Sequence, residues 1–469
     1  MEALAVLGAD LPLWSLTRAA MSTGPGDLSL DPAQGHLWGL SRIPGLRGPD
    51  SGGGTIDLPA VLDTVTVAQL TRVLATPDGE DEFAVRPSGR HVRRLVRVPW
   101  PAAPQDVPPA EGTVLVTGAS GAVGRHTALA LARAGYGHFL LMTAGGGTSA
   151  SGALRAELEA LGAAVRLDTG DPSDRTALAT ALAGVDAEAP LSVVVHTGGG
   201  AALRNLHELT LDLPLTGFAA FADFAALTGS DPGSWHAAVD VAYAETLVRH
   251  RHARGLPATL LACGPLIPDA PAHAHAETKT EAAGEEEGEA ETAAEVPSGM
   301  REFDPGRALA CLPNVLAGSP GPVLGVADVD WAPYLAHATR LSTGALYRDL
   351  PEARGHLAEQ RESGPDATAT QAELRAELRE LPEREQGERL AELVRSRVVQ
   401  VLGHDDSEQF DASRSFLEIG LSSFTALELC NGLHRATGLP LPVAVVYDHP
   451  TPVALAGYLR RQLAAGTAA

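Results

Sequence analysis

The sequence predicts two domain classes in series: an α/β domain built on a parallel sheet, then a small all-α domain. From residue 110 to about 340, buried strand-like runs alternate with helical stretches. The first is Gly112-Thr-Val-Leu-Val-Thr-Gly-Ala-Ser-Gly-Ala-Val-Gly-Arg-His126, where an apolar strand enters a glycine turn and then a helix. From residue 386 to 465 the pattern is helical. Leu390, Leu393, Val394, Val398, Val401 and Leu402 fall on one stripe, and Phe424, Leu427, Cys430 and Leu433 on another. Residues 341–385 are charged and poor in core residues, with a helix expected at 371–380, and read as a linker that gives the second domain reach.

Composition narrows the function classes. The chain has 469 residues, enough for two to three domains with packed cores, and 45% of them are hydrophobic. No apolar run is long enough to span a membrane, and no secretory signal pattern opens the sequence. Cys263, Cys311 and Cys430 lack metal-ligand spacing, so the expected setting is a reducing cytoplasm, with no membrane contact and no bound metal. A net charge of −23 argues against nucleic acid as a partner. Lysine and arginine together number 35, yet Lys279 is the single lysine. Any mechanism that needs an amine in a folded site has that residue or none.

In chain order, residues 1–100 hold Leu11-Pro-Leu-Trp-Ser-Leu-Thr-Arg18, His36-Leu-Trp-Gly-Leu-Ser-Arg42, Gly52-Gly-Gly-Thr-Ile-Asp-Leu-Pro59 and Phe83-Ala-Val-Arg86. These alternate short strands, turns and helices without a catalytic grouping. After a proline-rich connection at 101–109, Gly118, Gly121 and Gly124 make the turn that sets a helix N-terminus where a pyrophosphate would bind. The same glycines would also serve simply to close a tight strand-to-helix turn. Strand 139–143 should end at the adenosine ribose of a dinucleotide, and Leu191-Ser-Val-Val-Val-His196 and Leu256-Pro-Ala-Thr-Leu-Leu-Ala-Cys-Gly-Pro-Leu266 are further buried strands. Residues 269–298 are mostly Ala, Glu and Gly, a solvated mobile insert in which His273 and His275 read as surface residues rather than metal ligands.

The second domain turns on Phe416-Leu-Glu-Ile-Gly-Leu-Ser-Ser-Phe-Thr-Ala-Leu-Glu-Leu-Cys-Asn-Gly-Leu433. Ser423 falls where a loop becomes an amphipathic helix, a place that favours a phosphodiester through free backbone N–H groups and the positive end of the helix dipole. A plain N-cap serine is the alternative. With a helix upstream and Leu439-Pro-Leu-Pro-Val-Ala-Val-Val-Tyr-Asp-His-Pro-Thr-Pro452 downstream, the stretch resembles the acyl carrier protein domain of modular type I polyketide synthases. The resemblance implies a four-helix carrier with its 4′-phosphopantetheine arm at Ser423. The family's usual Gly-Leu/Phe-Asp-Ser-Leu reads Gly420-Leu-Ser-Ser-Phe424 here, which leaves Ser422 as the rival attachment site.

The preceding domain is similar to the ketoreductase of the same synthases, a Rossmann-like short-chain dehydrogenase/reductase fold with a structural half, residues 1–100, and a catalytic half, residues 110–340. The family has further strands before the first of these phrases, so a start inside the structural half is expected. The resemblance places Gly118, Gly121 and Gly124 at a dinucleotide turn and Asp171 beside the adenine; a solvated loop role for Asp171 stays open. Where NADPH-dependent members read Ser-Arg-Arg-Gly, this chain reads Thr143-Ala-Gly-Gly146, without the arginine that pairs with the 2′-phosphate. NADPH is therefore not expected to bind. The family's lysine, serine, tyrosine and asparagine positions fall on Gly199, Asp223, His236 and Asp240, and the loop and helix that carry the lysine are missing from the alignment.

Carbonyl reduction needs a proton donor beside the carbonyl oxygen and a neighbouring cation or donor for the developing negative charge. Asp223 as a carboxylate would repel that charge, and Tyr243 stands about two helical turns past His236. The expectation is a reductively inactive scaffold beside a working carrier. Three alternatives stay open: an active NADPH-dependent β-ketoacyl reductase, an epimerase using Asp223 and His236 on the acidic α-carbon, and a structural module whose carrier is unused. The resemblance implies as partners the ketosynthase and acyltransferase domains of the parent module, the next module's ketosynthase and a phosphopantetheinyl transferase, in a homodimeric parent.

Overall fold

The computed structural model describes residues 13–24, 27, 30–42, 53–75, 79–99, 111–143, 149–198, 200–229, 235–267, 299–318, 321–341, 344–363, 367–402, 414–416, 418, 419, 421, 423–439, 441 and 444–465. Two compact units divide the chain: residues 15–42 with 55–353, and residues 354–469 with 1–14 and 43–54. Gly199, Ser422, Lys279, the 101–109 connection and the whole acidic insert 269–298 lie outside the described residues.

The first sheet has the order β1 (Leu13–Arg18), β2 (Gly53–Leu58), β3 (Glu82–Arg86), β4 (Gly89–Val92), and α1 (Pro32–Ser41) and α2 (Thr64–Ala75) connect its strands. Asp31 caps α1 by accepting from the Ala33 N–H at 2.9 Å, and Pro32 occupies the first turn, where its missing N–H leaves no bond unmade. The fully buried Asp57 meets Arg86 Nη2 at 2.7 Å and accepts from Thr17 Oγ1 at 2.7 Å and Ala20 N at 2.8 Å. A carboxylate so enclosed is stable only because every lone pair has a partner.

The larger sheet contains β5 (Thr113–Thr117), β6 (His138–Met142), β7 (Ala164–Asp168), β8 (Leu191–His196), β9 (Gly217–Asp223) and β10 (Thr259–Cys263). After β11 (Met300–Arg301) comes its last strand, β12 (Val323–Val326), while β13 (Asp328–Val329) pairs with β11 outside it. The order is β12-β10-β9-β8-β5-β6-β7 and every pairing is parallel. Its central strands are buried along their whole length because helices cover both faces. These helices are α3 (Ala122–Arg133), α4 (Ser149–Ala160), α5 (Arg175–Ala183), α6 (Gly200–Leu209), α7 (Phe224–Thr228), α8 (Trp235–Ala253), α9 (Pro305–Leu309), α10 (Leu312–Gly318) and α11 (Trp331–Leu341). Strand order reverses between β5 and β8, so the crevice at their C-terminal ends is where such a sheet takes a ligand.

The two sheets join through α8. Its Ala242 packs with Trp38 of α1, and its buried Glu245 meets Arg93 Nη2 at 3.0 Å and Arg249 Nη2 at 3.1 Å. Burial alone would raise the Glu245 carboxyl, but Arg93, Arg249 and Arg42 outweigh it and hold it at about 2.

The helix α12 (Pro351–Ser363) begins in the first unit, and the second contains α13 (Ala367–Glu380), α14 (Glu383–Leu402), α15 (Ser423–Thr437), α16 (Ala444–Asp448) and α17 (Pro452–Ala465). Leu390, Val394 and Val398 of α14, Cys430 and Leu433 of α15, and Leu455 and Leu459 of α17 share one core. Leu429 belongs to it as well.

The linker expected at 341–385 is corrected. Tyr347, Leu350 and Ala353 are buried in the first unit, where Tyr347 meets the rings of Trp331 and Tyr334 edge-on. Leu374 and Leu378 of α13 are buried in the core of the second. Apolar residues spaced too widely to mark a core in a charged sequence still bury when a partner surface meets them, and the tertiary context supplies that surface.

Candidate functional site

The first candidate site is the crevice between β5 and β8. Gly118 has φ +72°, which favours glycine, and a Cβ there would lie 2.4 Å from Thr197 Oγ1. A Cβ on Gly124 would lie 2.3 Å from Gly118 O, so α3 approaches the turn as closely as its backbone allows. Gly121 is the N-cap of α3 and makes no side-chain cap, which leaves the helix start open toward solvent. A pyrophosphate fits this geometry. Asp171 is exposed, and its carboxylate accepts from Ser173 N at 2.8 Å; the Ser173 hydroxyl and that backbone bond hold it below the usual carboxylate range.

Asp223 ends β9 and caps α7, accepting from the Ala226 N–H at 2.9 Å. Its neighbour across the ladder is Cys263, whose thiol burial pushes up to about 12, so no thiolate nucleophile is available there. His236 is exposed in the first turn of α8. Asp240, one turn further, sits against the start of α6: a Cβ on Gly200 would lie 2.6 Å from Asp240 Oδ1. Gly200 opens α6 four residues after the end of β8, so the chain turns into the helix almost at once.

Tyr243 lies between α1 and the start of α6, where a Cβ on Gly200 would be 3.8 Å from its ring. It stacks on His36 with ring centroids 4.4 Å apart, burial raises its phenol, and Arg204 hydrogen-bonds it. Burial and Arg204 both lower the His36 imidazole, and Asp240 opposes them. The sequence reading missed this His36–Arg204–Tyr243 group, which α1, α6 and α8 bring together from three separate stretches. It also missed Glu245, a lone acid in the apolar run Val241 to Val248, which was the one available signal.

The second candidate site is the start of α15, whose first residue is Ser423. The described residues before it are tied to their surroundings. Ser415 N donates to Glu418 Oε2 at 2.8 Å and Glu418 N donates to Ser415 Oγ at 3.3 Å, the reciprocal pair of a capping box. Phe416 N donates to Pro450 O at 2.7 Å, Leu421 N donates to Phe416 O at 2.9 Å, and both side chains enter the core. Ser415, Phe416, Glu418 and Leu421 are thus anchored ahead of a helix whose dipole has its positive end at Ser423. Among the described residues no group of His, Cys, Asp and Glu could hold a metal, and no helix is long and apolar enough to cross a membrane.

Comparison with known proteins matches both regions. A KR domain model covers residues 112–202, and a model described as phosphopantetheine attachment site covers residues 392–459. The chain is 36% identical over 490 residues to polyketide synthase GfsA of Streptomyces halstedii, covering 98% of this chain and 6% of that protein. It is 35% identical over 490 residues to the pikromycin polyketide synthase component PikAIII of Streptomyces venezuelae, covering 98% of this chain and 30% of that protein. The chain thus spans less than a third of these curated relatives. Among solved structures, an A-type ketoreductase from a modular polyketide synthase aligns with TM-score 0.65 and 35% identity, over 76% of this chain and 77% of that one. A C2-type ketoreductase aligns with TM-score 0.62 and 33% identity, over 75% of this chain and 77% of that one.

Proposed function

From the premise that the chain belongs to the modular type I polyketide synthases, we propose a carrier that holds the growing acyl chain beside a ketoreductase fold that does not reduce it. The acyl group is a thioester on the phosphopantetheine arm at Ser423. The β-keto group passes on unreduced to the ketosynthase of the next module. The parent is a homodimer with its own ketosynthase and acyltransferase, and a phosphopantetheinyl transferase installs the arm.

The observation that carries the silent reductase is Asp223. Its carboxylate caps the α7 N-terminus, and in the alignment with the family it takes the position of the hydroxyl donor, where a negative charge would oppose the one developing on the carbonyl oxygen. Tyr243 does not take the place of the missing acid: it lies about two turns beyond His236, buried and stacked on His36. A nicotinamide dinucleotide, when bound, supplies hydride. The Gly118 turn would accept its pyrophosphate, but Thr143-Ala-Gly-Gly146 offers no cation to a 2′-phosphate, so NADPH is not held. The glycines then serve the close packing of α3 on β5.

The test is to load a β-ketoacyl chain on Ser423, incubate with NADPH in heavy water, and weigh the pantetheine ion ejected from the carrier. The expected ion shows neither reduction nor α-deuteration beyond that of a carrier-only control. A mass gain matching hydride reduction sinks the silent-reductase reading, and fast α-exchange without NADPH replaces it with an epimerase.

A further inference from the structure

The matched carrier model begins at residue 392, and α14 begins at Glu383, yet the buried core of this unit extends further upstream. We propose that α13 is a fifth helix of the carrier, which clamps the C-terminal end of α15, the helix that starts at Ser423. The packing stands by itself; only the role of Ser423 rests on the carrier reading above.

Leu374 and Leu378, one turn apart on α13, are 7% and 8% exposed and share a core with Leu390, Val394, Leu429 and Leu433. Polar contacts fix the same face. Arg375 Nη2 donates to Thr437 O at 3.3 Å, placing a cation at the negative end of the α15 dipole. Gly438 ends that helix with φ +72°, its N–H donating to His434 O at 2.7 Å. A Cβ on Gly438 would lie 2.8 Å from Gln371 Oε1, so α13 covers the cap closely. At the other end of α13, Gln386 Nε2 donates to Leu378 O at 2.8 Å and Leu381 O at 3.0 Å, and Arg389 Nε meets Glu377 at 2.7 Å. The turn into α14 is therefore closed by side chains of α14.

An isolated helix of this length is marginal in water. Its helicity requires the docked leucines, each of which stabilises by about 2 kcal/mol when buried. Docking and carrier folding are then one cooperative event.

Hydrogen exchange on the full chain, read by mass spectrometry, tests this. In the unaltered protein, amides of 371–380 exchange within about tenfold of those of α14. Exchange at the rate of an unfolded peptide overturns the proposal. Leu374→Asp with Leu378→Asp speeds exchange of amides 434–438 more than about tenfold, leaves β5 to β9 unchanged, and is reversed in Leu374→Met with Leu378→Met. Unchanged exchange at 434–438 in the Asp variant also overturns it. Phosphopantetheine loading of Ser423, weighed on the same samples, fails separately if the carrier reading is wrong.

Discussion

Asp223 and Ser423 carry the functional argument at the scale of single residues, and each gives a direct test. Replacing Asp223 by Asn keeps an acceptor for the Ala226 N–H, so urea unfolding of the first unit should shift by a few tenths of a kcal/mol, whereas Asp223→Ala should cost about 1 kcal/mol. Equal losses would mean that capping is not what Asp223 does. For the arm, Ser423→Ala should abolish the phosphopantetheine mass gain after incubation with transferase and coenzyme A, and Ser422→Ala should retain it. The reverse result would move the attachment site to the position that the altered motif leaves as its rival.

Secondary elements set which of these residues meet. The Gly118 turn exists because α3 packs onto β5 with no room for a side chain at Gly124, where a Cβ would lie 2.3 Å from a carbonyl oxygen. Backbone cannot yield as a flexible side chain can. Gly124→Ala should therefore destabilise the first unit by about 1–3 kcal/mol in urea unfolding, with or without any dinucleotide. A neutral effect would show that the turn is slack. The helix α8 has a double role. Its first turns hold His236 and Asp240, while its middle buries Tyr243 against His36 of α1 and Glu245 against Arg93.

For the first unit as a whole, Glu245 is the junction between its two sheets. Its carboxyl titrates near 4.5 when unfolded and at about 2 when folded. Because the folded value is depressed, its contribution is complete above about pH 5 and is lost as pH falls through 4.5 toward 2. Thermal unfolding of the first unit should lose midpoint over that window, and Glu245→Gln should flatten the dependence. That variant should also cost about 3 kcal/mol at neutral pH, because it leaves Arg93 and Arg249 without their shared buried partner. A variant as stable as the parent at neutral pH would place the stabilisation elsewhere.

Much of this was legible in the chain alone. Alternating strand and helix patterns determined the α/β class, the glycine spacing determined the turn, and the Phe416–Leu433 stretch determined the carrier, because each rests on periodicity or backbone conformation that local residues dictate. The identities at Asp223, His236 and Asp240 likewise spoke against reduction before any fold was known. Only the tertiary structure decided that Asp223 caps a helix, that Tyr243 turns to His36, that Glu245 is caged by arginines, and that Leu374 and Leu378 belong to the carrier core rather than to a linker. Each of these depends on contacts between residues far apart in sequence, where burial and charge are set by the partner surface and no local pattern records them.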